Sequence, residues 1–118
     1  MNFVIRKEEG FSSIRVVRDR LDSFVSPELK AELVMLSNKQ EINVILDLGN
    51  CVYCDSSGLS AILFGNRICE EASGTFLICN LSPNVEKLIK LAMLDSILTI
   101  ETNVEEAEKL LFKKSEVI

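Results

Sequence analysis

The sequence predicts one α/β domain built on a largely parallel mixed sheet, with an N-terminal β-hairpin and four helices. Two observations predict this class. Short apolar runs alternate with segments of helical spacing, in the order β-β-α-β-α-β-α-β-α. The run from Ile42 to Leu48 is almost continuously apolar, as in parallel strands that helices cover on both faces. Because strands and helices alternate after the opening pair, we expect right-handed crossovers onto parallel strands.

Five strands are predicted from short apolar or alternating runs. Phe3 and Ile5, and then Ile14 and Val16, alternate as strand residues do, with a turn at Glu9-Gly10 between them. The later strands are short apolar runs bounded by polar residues. In chain order, the five are expected at residues 2–8, near 14–16, at 42–48, at 75–79 and at 97–100.

The helices are predicted from capping residues at their starts. These are Ser26-Pro27, Asp55, Ser82-Pro83 and Asn103, the last in a capping-box pattern. Ser26 is expected as the N-cap of the first helix, after a polar connection at residues 19–23, with Pro27 in the first position. The second helix has helical spacing to about Ala72.

Length and composition restrict the class of protein. The chain has 118 residues, of which 47% are hydrophobic and 26% charged, which is typical of one compact domain. We expect this domain over residues 1–112 and a frayed tail at 113–118. A net charge of −5 argues against a nucleic-acid partner, because phosphate contacts need clustered Lys and Arg. No apolar run approaches the ~20 residues of a membrane span, and the start lacks a signal-peptide layout, so we expect a cytoplasmic protein without membrane contact.

The stretch Cys54-Asp55-Ser56-Ser57-Gly58-Leu59 joins a buried strand to a helix start, where α/β folds place functional groups. Its Asp and Ser side chains can cap the orphan N–H groups of the helix. The same N–H groups and the helix dipole also suit an added anion such as phosphate. The stretch therefore allows two interpretations, a helix cap and a phosphorylatable switch.

The helix after this stretch has two different sides. At about 100° per residue, one side collects mostly small residues that can lie close to the sheet: Gly58, Ala61, Ile62, Gly65, Cys69 and Ala72. Leu63 and Phe64 lie on or beside the opposite, polar side, with Ser56, Ser60 and Arg67. These two apolar residues predict either a docking surface or coverage by neighbouring helices.

The motifs that commonly mark catalysis or phosphate binding are absent from the sequence. It contains no His, no Gly-x-Ser-x-Gly elbow and no glycine-rich phosphate loop, so we expect neither an enzyme nor a metal or other cofactor. Cys51 and Cys54 form a C-x-x-C, which could indicate zinc or redox chemistry. A second such pair is missing, since Cys69 and Cys79 stand singly, and buried free thiols are the expectation.

Taken together, these residues resemble a STAS domain, specifically a stand-alone anti-sigma factor antagonist, over nearly the whole chain. The most specific part is Asp55-Ser56-Ser57-Gly58-Leu59 followed by Ala61-Ile62-Leu63. Arg20-Leu21-Asp22 before the first helix and Leu81-Ser82-Pro83 before the third are further similarities. The element order is also that of the family.

The resemblance implies a binding module that switches partners. Ser56 matches the serine that an anti-sigma factor with Ser-kinase activity phosphorylates in this family. The unphosphorylated form binds that kinase and frees a sigma factor, phosphorylation releases it, and a metal-dependent Ser phosphatase restores it. The family's acidic residue near the phosphosite maps onto Asp22. The partner-binding residues expected from the resemblance and the helical wheel are Asp22, Asp55, Ser57, Gly58, Ser60, Leu63, Phe64 and Arg67.

Two departures and one alternative accompany the resemblance. Asp19 stands where the family often has a small residue, and this affects the turn near Asp22. The chain reads Ala92-Met93-Leu94-Asp95 where a Gly is frequent, which predicts a less tight turn after the third helix. The alternative function is a STAS-type module that binds a nucleotide or other small ligand at the same helix start, or that belongs to a sensory or lipid-transport complex.

Overall fold

The structure, a computed structural model, describes residues 1–40 and 43–116, with side chains to residue 112. Its strands are β1 (Phe3–Glu8), β2 (Phe11–Val16), β3 (Arg20–Leu21), β4 (Val44–Asp47), β5 (Tyr53–Cys54), β6 (Phe76–Cys79) and β7 (Thr99–Glu101). Its helices are α1 (Ser26–Asn38), α2 (Ser56–Glu71), α3 (Pro83–Leu91) and α4 (Val104–Glu116).

Five strands form one sheet in the order β1-β2-β4-β6-β7. β1 and β2 are the predicted hairpin, antiparallel with Phe3 opposite Val16. β2, β4, β6 and β7 pair in parallel. The predicted fold class and element order are therefore confirmed for the main sheet. β3 and β5 form a separate parallel pair that was not predicted, within the segments expected to be polar connections.

Helices cover both faces of the sheet, as the apolar runs of the central strands require. Val44 and Leu46 of β4 belong to the larger core, which the inner faces of α1, α2 and α3 complete. Ile45, which points to the opposite face, packs in a smaller core with Ala107 and Leu111 of α4. The start of α2 follows β4 at the carboxyl end of the parallel strands, so the candidate switch lies at that edge of the sheet.

The start of α1 differs from the expectation that Ser26 is its N-cap. The N-cap is Val25, without a side-chain hydrogen bond, and Ser26 is the first helical residue. The Ser26 hydroxyl instead donates to the carbonyl oxygen of Asp22 at 2.6 Å. The Asp22 carboxylate accepts from the N–H groups of Phe24 and Val25, in the loop before the helix. The Asp22 carbonyl oxygen also accepts from the N–H of Ser26 at 2.8 Å. A serine before a proline thus marks the helix start correctly, although its side chain does not cap the helix.

The turn after α3 closes more tightly than expected. Met93 takes the left-handed conformation with φ 60°, where a glycine would be free of strain. The N–H of Leu94 then donates to the carbonyl oxygen of Ile89 at 3.0 Å, the six-residue bond that ends many helices. The expectation of a looser turn is thus wrong, because a methionine accepts the conformation that the family's glycine would supply.

Some element boundaries also differ, and one expected boundary lies outside the described residues. The last strand is Thr99–Glu101 rather than 97–100, and Ile42, the expected first residue of the third strand, lies outside the described residues. α4 extends to Glu116, so the backbone of residues 113–116 continues a helix, and the domain end at residue 112 stays a prediction. No helix in the described part of the chain is long and apolar enough to cross a membrane.

Candidate functional site

α2 begins with a side-chain cap. Asp55 is the N-cap, and its Oδ1 accepts a hydrogen bond from the N–H of Gly58 at 3.0 Å. The N–H of Asp55 donates to the carbonyl oxygen of Leu21 at 3.2 Å, which fixes the cap to β3. Ser56 is the first helical residue and is exposed, whereas Ser57 is half-buried. The cap is therefore supplied by Asp55, and Ser56 remains at the surface.

The first turn of α2 lies directly against the β3–β5 pair. Leu21 of β3 is paired with Cys54 of β5. A Cβ atom on Gly58 would overlap the carbonyl oxygen of Leu21 and lie 2.5 Å from Cys54 Sγ. Only a residue without a side chain fits between these atoms, so Gly58 lets the exposed Ser56 lie close to the loop that follows β3.

A cavity of about 370 Å³ lies between that loop, the first turns of α1 and the first turns of α2. Hydroxyl groups dominate its lining: Ser23, Ser26, Pro27, Lys30, Ser56, Ser57 and Ser60. We call it the serine cavity. It brings Ser56 and the half-buried Ser57 together with residues that the sequence does not connect to them.

Asp22 lies at the base of the loop, next to Ser23 of the serine cavity. Its Oδ1 accepts from the N–H groups of Phe24 at 3.0 Å and Val25 at 3.3 Å. Arg20 Nε lies 3.8 Å from its Oδ2. The preceding residue, Leu21, accepts from the N–H of Asp55, so the backbone at Asp22 lies near the start of α2. Two N–H groups and a guanidinium already compensate part of the charge of the Asp22 carboxylate.

Leu63 and Phe64 are half-buried on the outer side of α2 and pack in part against the larger core. A second cavity of about 410 Å³ lies beside them, which we call the docking groove. It is lined by Lys30, Ser60, Leu63, Phe64, Asn66, Arg67, Glu70 and Ile97. The two apolar residues pack on the core and also line this groove, and their role as a docking surface stays a prediction.

Two cations flank the Phe64 ring. The Arg67 guanidinium lies 5.6 Å from the ring centroid and Lys30 Nζ lies 5.9 Å from it. Arg67 is largely exposed, and its ion pair with Glu71, at 3.9 Å, is also exposed. Cations within about 6 Å of a ring centroid are attracted to the ring, and Arg and aromatic residues are enriched at protein–protein contacts.

Sequence reasoning missed two residues of this region. Phe24 is 88% exposed in the loop beside the serine cavity, so its ring is available to a partner. Its only sequence signal is an aromatic residue in an otherwise polar connection. Lys30 of α1 lines both the serine cavity and the docking groove. Spacing along one helix cannot show which other helix lies beside it.

The four cysteines are free and buried, as expected. Burial raises the pKa of the Cys54 thiol to about 12, with a further contribution from the nearby Asp55 carboxylate. Burial likewise raises the pKa of Cys51 to about 11, and its Sγ donates to the carbonyl oxygen of Arg18. Redox and zinc chemistry need thiolates. These two thiols are strongly protonated, which favours a packing role.

Comparisons with known proteins identify the family of the chain. The STAS domain family profile matches residues 2–107. BtrV of Bordetella bronchiseptica, named as a candidate anti-sigma factor antagonist, is 31% identical over 113 residues, which cover 96% of each chain. The anti-sigma F factor antagonist of Paenibacillus polymyxa is 27% identical over 106 residues, which cover 87% of this chain and 90% of its own.

A solved structure shares the fold. The phosphorylated form of the Bacillus cell fate determinant SpoIIAA superposes with a TM-score of 0.72 at 20% identity, covering 92% of this chain and 98% of its own. The profile match and the relatives extend over almost the entire length of the chain. The chain therefore belongs to the STAS domain family, alongside relatives named anti-sigma factor antagonists.

Proposed function

We propose that this protein is an anti-sigma factor antagonist, which acts by binding an anti-sigma factor and not by catalysis. The names of its relatives support this function. The observation that carries it is the pairing of an exposed Ser56 with the docking groove on one helix. A partner seated on the groove would cover Leu63 and Phe64, and its edge would reach the first turn of α2. The proposed binding residues are Asp22, Asp55, Ser57, Gly58, Ser60, Leu63, Phe64 and Arg67.

Phosphorylation of Ser56 by a partner that is also a Ser kinase is the proposed regulation. Ser56 Oγ would attack the γ-phosphorus of ATP, the bond to the bridging oxygen would break, and ADP would leave. The hydroxyl proton would pass to a base of the kinase. A metal-dependent Ser phosphatase would remove the phosphate from Ser56. Water would attack the phosphorus, inorganic phosphate would leave, and the Ser56 hydroxyl would be restored.

The charges around the first turn of α2 indicate that phosphate on Ser56 would release the partner and not unfold the domain. Phosphate adds about −1.5 to −2 charge at neutral pH, and a helix N-terminus tolerates negative charge. Because Ser56 is exposed, this charge would enter no core. It would instead face the partner, beside the carboxylates of Asp55 and Asp22. An interface that fits the neutral hydroxyl would have to desolvate the phosphate or repel it.

The residue assignment gives the first prediction. Incubation with a kinase-type anti-sigma factor from the same organism and Mg-ATP should place one phosphate on the chain, at Ser56. Ser56→Ala should abolish it because the acceptor oxygen is lost. Ser57→Ala keeps the Ser56 hydroxyl and should still carry phosphate at Ser56, although more slowly, because Ser57 is a proposed binding residue. Peptide mapping by mass spectrometry measures both. Phosphate found mainly on Ser57 would contradict the assignment.

The docking groove gives the second prediction. Arg67→Glu should weaken binding of the anti-sigma factor at least tenfold, about 1.4 kcal/mol, because it reverses a charge beside Phe64. Phe64→Ala should weaken binding to a similar extent. Lys109→Glu is the control, an equal charge reversal on α4 at the other face of the sheet. Isothermal titration measures the affinities.

Thermal melts decide whether Phe64 acts at the interface or in the core. Phe64 is half-buried, so Phe64→Ala should lower the free energy of unfolding by about 1 kcal/mol, well below the ~3 kcal/mol of a core truncation. A loss of ~3 kcal/mol with unchanged affinity in Arg67→Glu would show that this side of α2 is not the docking surface.

A further inference from the structure

Lys30 occupies the boundary between the serine cavity and the docking groove, because it lines both. Its Nζ donates to Ser60 Oγ at 3.3 Å and lies 5.9 Å from the centroid of the Phe64 ring. Of the residues that line the serine cavity in the described structure, Lys30 alone carries a charge. None of the described ion pairs involves it. Its ammonium is therefore held by a neutral hydroxyl and an aromatic ring.

Ser56 is within reach of the same ammonium. It precedes Ser60 by four residues on α2, and residues at this spacing have Cβ atoms about 6 Å apart on one side of a helix. A lysine ammonium stands on a flexible four-carbon stem and can move over such a distance. The serine cavity holds about 370 Å³, well above the roughly 10–15 Å³ that one water needs by the same measure. A phosphate and the ammonium can both enter it without displacing a helix.

We propose that Lys30 is the internal counter-cation of a phosphate on Ser56, and that this pairing withdraws its ammonium from Phe64. The proposal rests on the proposed function in one respect, that Ser56 is the residue that carries phosphate. An ammonium–phosphate hydrogen bond is stronger than the bond to a neutral hydroxyl, so the phosphate outcompetes Ser60. The nearby acids do not draw the Lys30 ammonium away from Ser60. Asp22 already accepts hydrogen bonds from two N–H groups, and Asp55 caps α2.

The pairing gives phosphorylation a second effect on binding. The phosphate adds negative charge at the first turn of α2, and the docking groove loses one of the two cations that flank the Phe64 ring. A partner that fits the groove in the unphosphorylated state then meets an altered charge at its centre. In this way a phosphate on Ser56 changes the charge beside Phe64, about two helical turns further along α2.

The test places phosphoserine at position 56 of the full chain by genetic code expansion, so that no kinase is needed. A ³¹P NMR titration gives the second pKa of this phosphate, ordinarily about 6. A nearby cation favours the dianion and lowers that pKa, so Lys30→Met should raise it by about 0.5 at low salt. Lys30→Arg keeps the charge and should keep the lower value. Lys39→Met removes an equal charge at the far end of α1 and should have no effect.

The ring signals of Phe64 report the withdrawal of the ammonium. Phosphoserine at position 56 should shift them in the parent and far less in Lys30→Met, where no cation can leave the ring. An equal phosphate pKa in the parent and Lys30→Met would overturn the pairing, as would an equal rise in Lys39→Met. Ring shifts that are independent of Lys30 would overturn the withdrawal. If Lys30→Met melts early, Lys30→Gln gives the same comparison. A kinase that ignores Ser56 would leave these measurements unchanged, so the two proposals fail separately.

Discussion

Ser56→Asp is expected to weaken binding of the anti-sigma factor at least a hundredfold, about 2.7 kcal/mol, while the domain stays folded. The carboxylate would stand at an exposed first helical position, where negative charge stabilises a helix by about 0.3–1 kcal/mol. Repulsion from Asp55 offsets part of this gain. Repulsion from Asp22 is reduced, because Arg20 and two loop N–H groups already face its carboxylate. The net change in stability should be small.

A neutral variant at position 56 separates the effect of the added charge on binding from the effect of the larger side chain. Ser56→Asn has nearly the shape of Ser56→Asp but carries no charge. It should bind the anti-sigma factor within about fivefold of the parent, a difference of about 1 kcal/mol. Titration of the partner and thermal melts are run on both variants. Parent-like binding by a folded Ser56→Asp would remove the electrostatic switch, and equal losses in both variants would show that the position rejects any larger side chain.

The fold was predictable wherever one local pattern determined it. The apolar run of β4 required helices on both faces, and the structure has them there. The small residues of α2 predicted the side that lies on the sheet, and Gly58, Ala61, Ile62, Gly65 and Cys69 are buried. Periodicity suffices for such cases, because the same spacing that makes an apolar side also orients it.

The two short strands and the α1 cap could not be predicted from local pattern. β3 and β5 have two residues each, which is too short for any alternation to be visible. Their pairing depends on chain segments more than thirty residues apart that meet only in the folded state. Ser26 has an ordinary capping sequence, but its hydroxyl donates to the carbonyl oxygen of Asp22, and Val25 is the N-cap. For the strands a tertiary contact decides, and for the cap it is a competing local hydrogen bond.

The candidate site was predictable in its motif and not in its surroundings. Asp55 and Ser56 are adjacent in sequence, so the cap and the exposed hydroxyl follow from one helix start. The serine cavity forms only because α1 lies beside α2. Its lining residues come from these two helices and from the loop before α1. Lys30 and Phe24 gained their candidate roles from that packing alone. Residues on a neighbouring element carry no signal in the spacing of the motif itself.

Gly58→Ala is expected to lower the free energy of unfolding by about 2–3 kcal/mol, the range of overpacked sites. The added Cβ would overlap the carbonyl oxygen of Leu21 and lie 2.5 Å from Cys54 Sγ. A backbone carbonyl in a paired strand cannot rotate away as a side chain can, so α2 or β3 must shift. Alanine's higher helix propensity, worth up to about 1 kcal/mol, offsets only part of this cost. Urea denaturation measures the loss.

The same substitution tests whether stability and switching share one contact. A shift of the first turn of α2 would move Ser56 away from the loop that follows β3, so phosphorylation should slow as well. Ser60→Ala, at an exposed position of the same helix, is the control and should change stability by no more than about 0.5 kcal/mol. Parent-like unfolding of Gly58→Ala would show that α2 has room to move. Lost stability with normal phosphorylation would show that the kinase does not depend on how α2 sits against β3.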